Sequence, residues 1–183
     1  MKMLQLTIVI KPEQWDEEEQ EFIPPITQTL QLEHSLVSIS KWESKWNKSF
    51  LSNAQKTYEE TIDYIKCMTL TSNVDPDVYL CLSDENIYSV NEYISLPMTA
   101  TYFNESKNGK GGRETITSEL IYYWMISLNI PFECQEWHLN RLLTLIRVCN
   151  IKNSPPKKMS KGEIMSRNAA LNAARKKQYN TKG

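Results

Sequence analysis

Residues 118–150 read SELIYYWMISLNIPFECQEWHLNRLLTLIRVCN. This is the most hydrophobic part of the chain, and its spacing is helical rather than alternating. Leu120, Ile121, Trp124, Met125 and Leu128 recur at three- and four-residue steps, as do Leu139, Leu142, Leu143, Ile146 and Cys149. Asn129 to Pro131 separates the two sets. The spacing predicts two helices, Ser118–Asn129 and Pro131–Asn150, paired as the central helical hairpin of a core.

Upstream, further helices carry their own start signals. Ser35 is placed to cap a helix with Leu36, Ile39, Trp42 and Trp46 on one side. Thr57 with Glu60 fits a capping box ahead of Tyr58, Ile62, Ile65 and Met68. Asp75-Pro76 reads as an N-cap and first helical residue of a short helix through Leu82. Ser83 opens another, with Ile87, Val90, Tyr93 and Ile94 inward and a stop before Pro97.

The chain begins differently. Leu4, Leu6, Ile8 and Ile10 alternate with polar residues, the period of a half-buried strand. Pro12, Asp16 and the acidic run Glu17–Glu19 read as a solvated turn, and Glu21–Ile23 and Thr27–Leu32 as returning chain split by Pro24-Pro25. A second, long-looped hairpin is expected near 98–117, pairing Met98–Phe103 with Arg113–Thr117 around a polar, glycine-bearing loop.

The fold class expected is therefore α+β, mainly α. An N-terminal β-hairpin or meander precedes a compact helical domain with a central helical hairpin and a basic C-terminal helix. One globular domain would span 1–151, with a β-rich start over 1–32 and a mainly helical remainder over 33–151. A basic tail or helix follows over 152–183. That tail holds nine Lys or Arg against one acid, Glu163, while the rest of the chain is acidic enough to bring the total to −1. Ser160 and Glu163 offer it a capping box. Such a division suggests engagement of something through the end of the molecule.

Composition excludes several classes. Of only five glycines, three (Gly109, Gly111, Gly112) share one loop, which leaves no glycine-rich phosphate cradle. Four cysteines lie far apart without a CxxC pair and read as reduced, packed thiols. No apolar run approaches the ~20 residues of a membrane helix, so a soluble, membrane-free protein is expected. Cys134 and His138 fall at i, i+4 on the predicted second helix, but a structural zinc site needs two more ligands and none is close. That helix spends its positions on leucines, which suits neither an activated thiol nor a DNA-recognition helix. No catalytic residue, metal or cofactor is expected.

The remaining candidates are partner contacts. Trp42, Trp46, Tyr122, Tyr123 and Trp137 exceed what one small core needs to hide. Lys157, Lys158, Lys161, Arg167, Arg175, Lys176 and Lys177 make the tail a salt-sensitive surface. Nucleic-acid binding through the tail is a third-ranked alternative, since Tyr179 is its single aromatic for base stacking.

Three segments carry a family resemblance: LEHSLVSISKWESKWNKSF (32–50), ITSELIYYWMISLNIPFECQEWHLNRLLTLIRVCNIKN (116–153) and PPKKMSKGEIMSRNAALNAARKKQ (155–178). They resemble the tail assembly chaperones of long-tailed, siphovirus-like bacteriophages. The resemblance covers most of the chain and rests on the whole sequence rather than a chemical motif. It implies a small, mainly helical, non-enzymatic factor of the host cytoplasm that binds the tape-measure protein and recruits tail-tube subunits. Self-association is left open. Such proteins often continue into a longer product by ribosomal frameshifting, for which the codons of Lys157-Lys158 or Lys176-Lys177 are candidates. The β-bearing start departs from the family's helical pattern. The alternative implied is a structural virion protein, such as a head–tail connector or tail-completion subunit.

Overall fold

A computed structural model describes residues 3–103, 115–155 and 160–180. The fold is α+β and mainly helical, as the periodicities predict. The chain forms two compact units, Met1–Asn150 and Ile151–Gly183.

The first unit starts with an antiparallel pair, β1 (Leu4–Lys11) and β4 (Ile26–Leu32), in the register Leu4↔Leu32, Leu6↔Leu30, Thr7↔Thr29. Leu6, Ile8, Leu30 and Leu32 are buried on one face. On the other face Thr7 and Thr29 share a hydroxyl hydrogen bond of 3.1 Å. A one-residue slip would turn the leucines to solvent, so burial pins this register. Beyond an irregularity between Val9 and Lys11, the ribbon continues as β2 (Gln14–Asp16) and β3 (Glu21–Ile23). Residues 11–21 were expected as a solvated turn; part of that span is strand.

Ser35 caps α1 (Leu36–Trp46), accepting the Ser38 N–H. The helix ends where Asn47 turns left-handed at φ 52° and donates its N–H to Glu43 O. Thr57 and Glu60 form the predicted capping box of α2 (Tyr58–Met68). After α2 the chain hydrogen-bonds to the free edge of β4, with Leu70 N–H donating to Gln31 O at 2.8 Å. A 3-10 turn, Pro76–Cys81, is capped by Asp75, and α3 (Asp84–Ser95) by Ser83. No strand forms over 98–103 or 115–117. Met98, at φ 48°, turns the chain just where the expected second hairpin would begin. The rest of that hairpin lies outside the described residues.

α4 (Ser118–Ser127) is capped by Thr117. The single helix expected over Pro131–Asn150 is two pieces, a 3-10 turn Phe132–Glu136 and α5 (Leu139–Asn153). The break has a long-range cause. His138 leaves helical geometry to form a β-bridge with Ser35, and Leu139 N–H donates to His34 O at 2.7 Å. Cys134 and His138 therefore do not share a helix face. Among the described residues no group of three or more His, Cys, Asp or Glu side chains could hold a metal ion. The centre of the core is α1 rather than an α4–α5 pair: α1 packs against α2, α4 and the Phe132–Glu136 turn. Leu36, Ile39 and Trp42 from α1 meet a core that includes Ile65, Met68, Ile121, Met125, Leu139 and Leu142.

In the second unit, α6 (Lys161–Tyr179) starts at a Ser160–Glu163 capping box and ends on left-handed Asn180. No described residue of this helix is buried. Among the described residues no helix is long and apolar enough to cross a membrane.

Candidate protein-docking surface

An amphipathic surface helix turns an apolar stripe inward and charges outward. α4 breaks that rule. Its sequence, SELIYYWMIS, holds one charged residue, Glu119, in the first turn. Ile121 and Met125 are fully buried. On the opposite side Tyr123 and Ile126, three residues apart, are 63% and 60% exposed. Tyr122 lies half-buried beside them, its ring 6.3 Å from that of Phe132, which is itself 54% exposed. The Tyr122 hydroxyl donates to Gln135 Oε1 at 2.9 Å, which orients the ring. The result is an apolar face of Tyr122, Tyr123, Ile126 and Phe132, of the kind that marks interaction sites.

Glu43 fixes where this face points. From the last turns of α1, its carboxylate accepts the Ser118 N–H at 2.7 Å and the Phe50 N–H at 2.8 Å. Ser118 is the first residue of α4, so a buried anion sits on the positive end of that helix. Ser49 Oγ adds a bond to Ile116 O at 2.6 Å. Nothing in the local sequence marks Glu43, since an acid in a helix interior reads as surface.

The other sequence candidates separate. Trp42, expected among the partner-facing aromatics, is a core residue, 1% exposed, with its indole N–H donating to Glu60 O at 2.9 Å. Trp46, one turn on, stacks against it at 6.1 Å and donates to Asp63 Oδ2 at 2.9 Å. Burial pushes the Asp63 carboxyl up, but hydrogen bonds from Lys45 and Trp46 outweigh it and hold the group below its usual range. Trp46 helps line a groove of about 550 Å³ whose walls include exposed Tyr58 and Leu80. Trp137 is half-buried under the Arg141 guanidinium, 4.1 Å from the ring centroid. Lys161, Arg167, Arg175, Lys176 and Lys177 lie exposed along α6. Lys157 and Lys158 lie outside the described residues.

Sequence reading also missed a buried polar cluster where β4, α1, α2, α3 and α5 meet. His34 Nδ1 and the Tyr64 hydroxyl are 2.5 Å apart, and the His34 and His138 rings 5.1 Å. His138 Nδ1 accepts the Asn140 N–H, which leaves Nε2–H to donate to Tyr93 O at 3.1 Å. Tyr93 in turn donates its hydroxyl to Glu33 at 2.8 Å. Burial, with the neighbouring His138, pushes His34 down to about 3, so both rings stay neutral at ordinary pH. Burial raises Glu33, whose second carboxyl oxygen has no hydrogen-bond partner among the described residues. His34 and His138 are each 2% exposed, which places the cluster out of reach of a substrate. It ties elements together rather than opening to solvent.

No family model, curated protein or solved structure matches this chain.

Proposed function

We propose that this is a non-enzymatic protein-binding factor whose α4 face receives an amphipathic helix of a partner. The observation that carries the reading is the outer side of α4 beyond Glu119, where Tyr123 and Ile126 are mostly exposed and adjoin Tyr122 and the exposed Phe132 of the next turn. Grooves and faces of this chemistry take helices through anchors spaced three and four residues apart. Following the resemblance of residues 32–50, 116–153 and 155–178, the partner is the tape-measure protein of a long-tailed phage. The role is that of a tail assembly chaperone in the host cytoplasm. The mechanism is reversible shielding of apolar stripes on a long helical chain before it is assembled, driven by burial of apolar surface. Recruitment of tail-tube subunits would follow from the same resemblance.

Co-expression with the tape-measure protein tests this. The wild-type chain should co-elute with it. A Tyr123→Asp/Ile126→Asp variant should lose about tenfold or more in affinity while its thermal midpoint stays put, since exposed positions contribute little to stability. Partners that remain fully separate would overturn the reading. Mass spectrometry of particles and lysate distinguishes the alternative: stoichiometric presence in purified virions would make the chain a structural subunit.

A further inference from the structure

Two parts of the molecule expose most of their apolar side chains. The first is the distal ribbon of β2 and β3. Trp15 and Phe22 face each other across it with ring centroids 4.8 Å apart, edge to face, yet are 51% and 64% exposed. Val9, Ile23 and Ile26 nearby are also about half exposed. The tip is well made: Asp16 accepts the N–H groups of Glu18 and Glu19, and Gln20 turns left-handed at φ 56°. Between Pro12 and Ile23 there are six carboxylates and no Lys or Arg. A two-stranded ribbon is marginal in water, and this one holds an aromatic pair out to solvent.

The second is α6. Both its ends are capped, yet none of its residues is buried. It carries Lys161, Arg167, Arg175, Lys176 and Lys177 against Glu163, and exposes Ile164, Met165, Leu171 and Tyr179. An isolated helix of this length is also marginal without a surface to pack on. At about 1.5 Å per residue it is about 28 Å long. The ribbon from Lys11 to its tip reaches about 20 Å at ~3.3 Å per residue. The helix is long enough to cover the ribbon, the two are opposite in charge, and each exposes apolar side chains.

We propose that the acidic β2–β3 arm of one copy receives the basic helix α6 of a second copy. Carboxylates of Glu17, Glu18, Glu19 and Glu21 face the lysines and arginines, and Trp15 and Phe22 receive Ile164, Met165 or Leu171. Each copy offers one arm and one helix, so two copies can exchange helices as a closed two-fold dimer, or copies can join head to tail as a larger ring or an open chain. The inference is independent of the α4 reading, because it uses neither Tyr123 nor Ile126.

Sedimentation velocity of the full chain, from micromolar to near-millimolar concentration, tests it. At low salt the mass should rise with concentration, and at ~0.5 M salt the association should be about tenfold weaker as the Debye length shrinks. Glu17→Lys/Glu18→Lys/Glu19→Lys and Arg175→Glu/Lys176→Glu/Lys177→Glu should each leave the chain monomeric with unchanged circular dichroism from the body. Combined in one chain, the two sets swap the charges and should restore association to within about tenfold of wild type. A monomer at every concentration, triple variants that associate as wild type does, or a combined variant that stays monomeric would each overturn the proposal.

Discussion

Glu43→Ala should loosen the attachment of α4 more than any change on α4's own surface. The carboxylate accepts two backbone N–H groups, from Phe50 and Ser118, at 2.8 and 2.7 Å. It is 7% exposed, and Phe50 and Ser118 are buried as well, so water replaces neither bond well. A hydrogen bond to a charged acceptor contributes ~1.5–3 kcal/mol, and losing it strands a buried donor. Two such bonds place the loss at about 3–6 kcal/mol, or roughly 10 °C or more in thermal midpoint for a unit of this size. Glu43→Gln keeps one acceptor oxygen and sets an amide NH₂ against the other donor, so about half the loss is expected. Urea unfolding gives the stability, and amide exchange gives the location: the Ser118 and Phe50 amides should lose more protection in Glu43→Ala than those of β1, which fall only by the global loss. A loss under about 1 kcal/mol, or unchanged exchange at Ser118, would refute the claim that Glu43 pins α4.

Further outcomes follow from the same geometry. His34 is held near 3 in the folded state against ~6.5 in the unfolded chain, so its contribution is full above about pH 6.5 and is lost as pH falls towards 3. About 2 kcal/mol should be gone by pH 5, and His34→Gln should flatten the slope between pH 7.5 and pH 5 in denaturant titrations; an equal slope in both proteins would contradict it. Glu33 has the opposite sign, because burial raises its pKa and the ionised form is the less stable one. Glu33→Gln keeps the acceptor for Tyr93 and should raise the thermal midpoint at pH 7, with the gap closing in acid; a lower midpoint at pH 7 would show the charge to be needed. Thr57→Ala removes one half of the α2 capping box and should cost about 1 kcal/mol by urea unfolding, whereas no measurable loss would mean that the helix start is held elsewhere.

Local chemistry made much of the fold readable. The alternation of Leu4, Leu6 and Ile8 announces a strand with one wet face, and that is β1. Ser35, Thr57, Asp75, Ser83 and Ser160 each offer a side-chain oxygen to the first turn they precede, and each does so in the structure. What could not be read depends on distant partners. The break at Trp137-His138 exists because Ser35 and His34 bind that backbone, and nothing between Pro131 and Asn150 encodes it. Trp42 and Trp46 share a helical stripe, and only the Glu60 carbonyl of α2 shows which of them lies deep. Tyr122 and Tyr123 are adjacent in sequence and differ in fate for the same reason: Gln135 and Phe132 reach one and not the other. Glu43 was invisible because its partners come from two other segments.

The Ser35–His138 bridge joins residues about a hundred positions apart, and through it α5 closes against the corner where β4 turns into α1. Closing so long a loop costs entropy before the contacts it permits repay it. The corner that holds His34 is therefore closed by backbone from the far end of the first unit, and no local contact takes the place of that closure. A chain cut short of His138 would keep its hairpin and its capped helices as sequence tendencies without the clasp that makes them one body.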